Sequence, residues 1–154
     1  PVVASAAEVA AVAVDDRSVR EVSPPTAEAA ERRDVLIVDD DEMVGDALRR
    51  ALEKFHRVAL CTSSRDAIRR ILDSNADVIL CDLMMPDVTG MQVHDEVLKA
   101  SPKHAERMIF MTGGAFTPEA QAFLARVPNV RFEKPLRPAQ LRTLVSEFRA
   151  RSTT

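Results

Sequence analysis

Val78-Ile79-Leu80-Cys81-Asp82 runs through four apolar residues without a break and closes on an acid. An unbroken apolar run of this kind fits a strand covered on both faces by helices. The same texture recurs at Val35–Val38 and Met108–Met111, and more loosely at Val58–Cys61 and Val130–Phe132. Between the runs, apolar residues fall at helical spacing. Val44, Leu48, Ala51, Leu52 and Phe55 make one face, and Ala67, Ile68, Ile71 and Leu72 the next. Met91, Val93, Val97 and Leu98 follow, then Ala120, Phe123, Leu124 and Val127, then Leu141, Leu144, Val145 and Phe148. Asp41 stands before the first helix, Thr117-Pro118-Glu119 before the fourth, and Pro138 opens the fifth. Such (βα)5 alternation forces a parallel sheet with right-handed crossovers. The expected fold is α/β, a doubly wound three-layer sandwich with strand order 2-1-3-4-5.

The alternation begins at Asp34. Residues 1–33 hold Pro24-Pro25 and contain no Gly, Leu, Ile, Met or Phe, so they have little to bury. They read as a linker, disordered or partly helical in the Ala-rich part. Residues 34–150 form the expected domain and 151–154 a tail. The chain starts at Pro1, and Val2–Val14 lacks the basic flank of a signal peptide, so a segment of a longer protein is expected.

Composition narrows the function. The 154 residues carry a net charge of −3, without the clustered basic field that nucleic acid or a membrane surface requires. Six Phe with no Trp or Tyr make an aromatic base-stacking platform a poor fit. No run reaches the roughly 18 apolar residues of a membrane span. Cys61 and Cys81 each end an apolar run and fit buried, reduced thiols in the cytoplasm. His56, His94 and His104 stand apart from one another and read as solvated side chains without a role.

Open parallel sheets carry their sites beyond the carboxyl ends of the strands. Asp39-Asp40-Asp41-Glu42 follows the first run, Asp82 the third, Thr112 the fourth and Lys134-Pro135 the fifth. Asp41 and Glu42 read best as helix cap and first-turn acid. Each remaining group alone has a bland reading: a turn acid, a strand-end hydroxyl, a solvated lysine. Together, on neighbouring strands, they converge on one rim. Clustered carboxylates call for a cation between them, and an oxygen-only ligand set selects Mg²⁺, with Mn²⁺ as a substitute. A carboxylate beside such a metal and a lysine is set up to become an acyl phosphate.

Val35-Leu36-Ile37-Val38-Asp39-Asp40 resembles the first strand and acidic pair of response-regulator receiver domains. Val78 through Gly90, with its Cys81-Asp82-Leu83-Met84-Met85-Pro86-Asp87 centre, resembles their phosphoacceptor strand and following loop. Met111-Thr112-Gly113-Gly114 and Glu133-Lys134-Pro135 are similar to their later motifs, in the same order. The resemblance implies a flavodoxin-like fold and a part in a bacterial two-component system. It implies that Asp82 accepts a phosphoryl group from a histidine kinase or a histidine phosphotransfer domain. Asp40, Asp82 and the Met84 carbonyl would bind Mg²⁺ directly, and Asp39 through water. Thr112 would bond the phosphoryl oxygen and Lys134 would pair with it. The domain would assist its own phosphorylation without being a freestanding enzyme.

The family's switch aromatic, three residues before the lysine, is Arg131 here, and Phe132 is the aromatic beside it. Arg131 is expected on the surface as part of a partner face. A homodimer through helix 4, strand 5 and helix 5 is a further expectation. Phe110 through Pro118 is similar to receivers carried at the C-terminus of hybrid histidine kinases. Two other readings compete. One is a Mg²⁺-dependent phosphatase resembling the haloacid-dehalogenase superfamily, with Asp39 and Asp41 as its acids. Its pattern wants Thr or Val where Met43 stands, and it leaves Asp82 without a role. The other is a phosphorylation-silent pseudo-receiver, against which the complete acidic set argues.

Overall fold

A computed structural model describes residues 32–114 and 117–150. The linker expected over 1–33 lies outside the described residues except for Arg32 and Arg33, and so does the tail at 151–154. The strands are β1 (Asp34–Val38), β2 (Arg57–Cys61), β3 (Val78–Asp82), β4 (Met108–Thr112) and β5 (Arg131–Glu133). The helices are α1 (Glu42–Leu52), α2 (Ala67–Asp73), α3 (Gly90–Ala100), α4 (Pro118–Arg126) and α5 (Pro138–Glu147). A 3-10 turn at Ser64–Asp66, capped by Ser63, precedes α2, and a single helical turn, Pro102–Ala105, follows α3.

All strand pairs are parallel, in the order β2-β1-β3-β4-β5 expected from sequence. Side-chain alternation divides the core into two layers. Leu36, Val38, Ile79, Cys81, Met108 and Phe110 meet α2, α3 and α4 through Ile71, Val93, Val97 and Phe123. Val35, Ile37, Val78, Leu80, Ile109 and Met111 meet α1 and α5 through Leu48, Leu52, Leu141 and Val145. Every residue of β3 and β4 is buried, whereas β2 and β5, at the sheet's edges, are partly exposed. The continuous and the mixed apolar runs thus mark central and edge strands respectively.

The helix starts follow the sequence. Asp41 caps α1, its Oδ1 accepting from the Met43 and Val44 amides, and Thr117 caps α4 by accepting from Ala120. Val127 and Phe148, counted on helix faces by periodicity, lie one residue past their helices. For Val127 the cause is Pro128, which disfavours helical geometry in the residue before it. Arg33 sits against the fold, its amide donating to His56 Nδ1 and its guanidinium to the Phe148 carbonyl at 2.7 Å.

The expectation of solvated histidines is corrected. His56 and His94 are buried at 2% and 1% exposure. The His94 ring meets Phe110 and Phe123 edge-on, with centroids 5.6 and 5.3 Å away. Burial lowers the pKa of both histidines, so a neutral imidazole serves as a small aromatic core residue. His104 bridges Ser101 Oγ and the Ser74 carbonyl.

Candidate functional site

The carboxyl ends of β1, β3, β4 and β5 bring Asp39, Asp40, Asp82, Thr112 and Lys134 to one rim. Parallel pairing sets the level, with Val38 opposite Cys81 and Asp82 opposite Met111. Carboxylate oxygens of Asp39, Asp40 and Asp82 lie within 4.8 Å of one another. Asp39 is fully buried, Asp82 is 8% exposed, and Asp40 faces solvent. Lys134 Nζ stands 3.0 Å from Asp39 Oδ2 and 3.5 Å from Asp82 Oδ1. The other Asp39 oxygen accepts the Asp41 amide at 2.9 Å. Asp39 is therefore committed on both oxygens, while Asp40 stands toward the solvent side of the cluster.

Burial, then the charge of Asp39, pushes the Asp82 carboxyl up to about 6, and Lys134 offsets only part of this. Burial alone would lower the Lys134 pKa, but the bond to Asp39 and the charge of Asp82 outweigh it and raise it. Thr112 is buried and its hydroxyl donates to the Phe132 carbonyl at 3.3 Å. Its own carbonyl accepts the Lys134 amide at 2.7 Å, which fixes the lysine's stem to β4.

The loop after Asp82 is held at several points. Leu83 donates to the Met111 carbonyl, Gly90 donates to Leu83, and Ser64 Oγ donates to the Pro86 carbonyl. Leu83 and Met85 point inward, leaving Met84, 43% exposed, at the rim. A Cβ at Gly90 would collide with the Asp82 carbonyl oxygen and stand 2.8 Å from Leu83 Cα. Glycine is thus what lets α3 start against the backbone of Asp82. Asp41 is occupied as the α1 cap, so the Asp39/Asp41 pair of the phosphatase alternative does not assemble. The Cys81 thiol is held protonated by burial, next to Asp82 but inside the core.

Comparison with known proteins shows the family and the fold. The sequence profile of the response regulator receiver domain family matches residues 35–146. The chain belongs to that family. As a receiver domain it is a phosphoacceptor module of two-component signalling, and receiver domains generally bind Mg²⁺ at an acidic pocket. It is 41% identical over 69 residues to the hydrogenase transcriptional regulatory protein HoxA of Cupriavidus necator, covering 45% of this chain and 14% of that protein. It is 37% identical over 60 residues to response regulator MprA of Mycolicibacterium vanbaalenii, covering 38% of this chain and 26% of that one. The receiver thus spans about a quarter or less of these relatives' lengths.

Solved structures share the fold. A CheY-like receiver domain protein of Methanospirillum hungatei superposes with a TM-score of 0.66 at 24% identity, over 76% of this chain and 93% of that chain. A response regulator of Chloroflexus aurantiacus gives 0.64 at 24% identity, over 75% and 95%. Among the described residues, no helix of this receiver is long and apolar enough to cross a membrane. Arg131 is exposed, as expected, but its guanidinium is engaged, with Nη1 2.9 Å from the Leu124 carbonyl of α4. That bond, the double engagement of Asp39 and the clearance at Gly90 escaped the sequence reading. Only Gly90 had a local signal, as a glycine at a helix start.

Proposed function

We propose that Asp82 takes the phosphoryl group of a phosphohistidine on a histidine kinase or a histidine phosphotransfer domain. One observation carries this reading: a nearly buried carboxylate at the end of a central strand, clustered with two others within 4.8 Å and facing an ammonium at 3.5 Å. An Asp82 oxygen attacks phosphorus as the P–N bond breaks. The electron pair of that bond stays on the imidazole, and an acyl phosphate forms. Lys134 balances charge on the phosphoryl oxygens, and the Thr112 hydroxyl donates to one of them.

The oxygen-only donor set fits a hard divalent cation, Mg²⁺ or Mn²⁺. Asp40, Asp82 and the Met84 carbonyl would hold it directly and Asp39 through water. Bound there, it would supply positive charge against the phosphoryl oxygens. The chain in this way assists its own phosphorylation and turns over no separate substrate. The reading places it in the bacterial cytoplasm, with residues 1–33 as linker and with α4, β5 and α5 as the face for a second copy or an output partner. It assigns the domain no nucleic-acid or membrane contact of its own. The Phe110–Pro118 stretch supports a hybrid histidine kinase as the parent, although Ala115 and Phe116 lie outside the described residues. A reading frame without a kinase core around this segment would overturn that parentage.

Intact mass after incubation with acetyl phosphate and Mg²⁺ tests the reading. One added phosphate is expected on the wild type and none on Asp82→Asn. Uptake by the variant equal to the wild type would defeat the assignment.

A further inference from the structure

The loop that carries the Met84 carbonyl is anchored at its two ends, where Leu83 donates to the Met111 carbonyl and Gly90 to that of Leu83. Between these anchors the chain makes a γ-turn. The Val88 amide donates to the Pro86 carbonyl at 2.7 Å around Asp87, whose φ is 67°. A γ-turn of this hand is strained, and aspartate lacks the freedom of glycine there, so the turn persists where its surroundings hold it. The holders come from the connection between β2 and α2. Ser64, 6% exposed, donates its hydroxyl to the Pro86 carbonyl at 2.8 Å. Among the described residues, this is the one hydrogen bond that another element makes to the backbone of residues 84–88. Arg65, next in the chain, places Nε 3.5 Å from Asp87 Oδ2. Two consecutive residues of one turn thus hold the two residues at the centre of the other.

We propose that Ser64 and Arg65 are positioning residues that clamp the loop and so hold the Met84 carbonyl at the cation site. The path from clamp to carbonyl is short and stiff. The Pro86 ring fixes its own φ, and the residue before a proline is confined to extended geometry. That residue, Met85, is also buried at 4% exposure. A pinned Pro86 carbonyl therefore leaves the Met84 peptide little freedom to turn. Partners behind a metal ligand fix its orientation and with it the affinity of the site. Ser64 carries most of the effect, since the Arg65 side chain is 76% exposed and its ion pair is screened by solvent. The proposal deepens the reading of the Met84 carbonyl as a ligand and rests on it. Ser64→Ala leaves the Pro86 carbonyl bonded to Val88, so no acceptor is orphaned and the fold tolerates the change.

The test is calorimetric titration of Mg²⁺ into the metal-free full chain, comparing wild type, Ser64→Ala and Ser74→Ala. Ser74 serves as the control, because its hydroxyl donates to the Ile71 carbonyl at 2.8 Å at the other end of α2. Ser64→Ala is expected to raise the Mg²⁺ Kd roughly three- to tenfold, the scale of one lost hydrogen bond. Ser74→Ala should leave it unchanged. Phosphate uptake from acetyl phosphate should split in the same way. Ser64→Ala should need more Mg²⁺ for its half-maximal rate and still reach the wild-type rate at saturation, which a general loosening of the fold would not spare. Equal Kd values for wild type and Ser64→Ala, or an equal loss in Ser74→Ala, would overturn the clamp alone. A wild type without saturable Mg²⁺ heat would overturn the cation reading and the clamp with it.

Discussion

Lys134 and Asp39 hold each other at the floor of the site, Nζ to Oδ2 at 3.0 Å, with Asp39 fully buried and Lys134 22% exposed. The pair joins the two ends of the domain's sequence, β1 and the residue after β5. It also keeps the ammonium 3.5 Å from Asp82, beside the carboxylate proposed as phosphoacceptor. Asp39 is therefore first a holder of Lys134.

Removing the lysine leaves two buried carboxylates facing each other. Lys134→Ala should destabilise the metal-free protein at neutral pH by about 1–3 kcal/mol, below the full penalty of a broken buried pair because the lysine is partly solvated. Urea denaturation reads this out. An unchanged midpoint would mean that the pair contributes nothing to the fold.

Folded Asp82 keeps its proton to about pH 6, whereas the ordinary value is 3.8. Between these values the native state binds more protons than the unfolded state, so stability falls as pH rises through the window. Asp82→Asn should remove that fall and stabilise the metal-free protein above pH 6 by on the order of 1–3 kcal/mol. Denaturation midpoints at pH 4.5 and 7 are the measurement. A variant with the same pH slope as wild type would show that Asp82 is not the group responsible.

Gly90→Ala places a methyl group against the Asp82 carbonyl oxygen and Leu83 Cα, both backbone atoms that cannot turn aside. The expected loss is about 1–3 kcal/mol, the scale of overpacking. Slower phosphate uptake from acetyl phosphate should accompany it. A variant with wild-type stability and uptake would contradict the close approach of α3 to β3.

Asp39 is engaged on both oxygens and Asp40 faces solvent, so the cation should depend more on Asp40. Asp40→Ala is expected to weaken Mg²⁺ binding more than Asp39→Ala does. Calorimetry reports it, since the chain has no Trp or Tyr to quench. Equal losses would reject the ranking.

The central strands were legible because burial on both faces leaves an unbroken apolar run, as at Val78–Cys81. The rim was legible because strand ends in a parallel sheet align, so Asp82, Thr112 and Lys134 had to be neighbours once the order was known. What escaped depends on contacts between distant segments. Nothing local marks His94 as a ring set between Phe110 and Phe123. Nothing in the Asp39-Asp40 pair says which acid turns inward to the lysine. Nothing local marks the Arg131 bond to the Leu124 carbonyl, because its donor comes from the next strand.

The most direct measurement maps the acyl phosphate itself. Borohydride reduces an aspartyl phosphate to homoserine, which peptide mass spectrometry locates. After phosphorylation with acetyl phosphate and Mg²⁺, homoserine is expected at position 82 and at no other acid. Homoserine at Asp39 or Asp40, or none anywhere, would contradict the account.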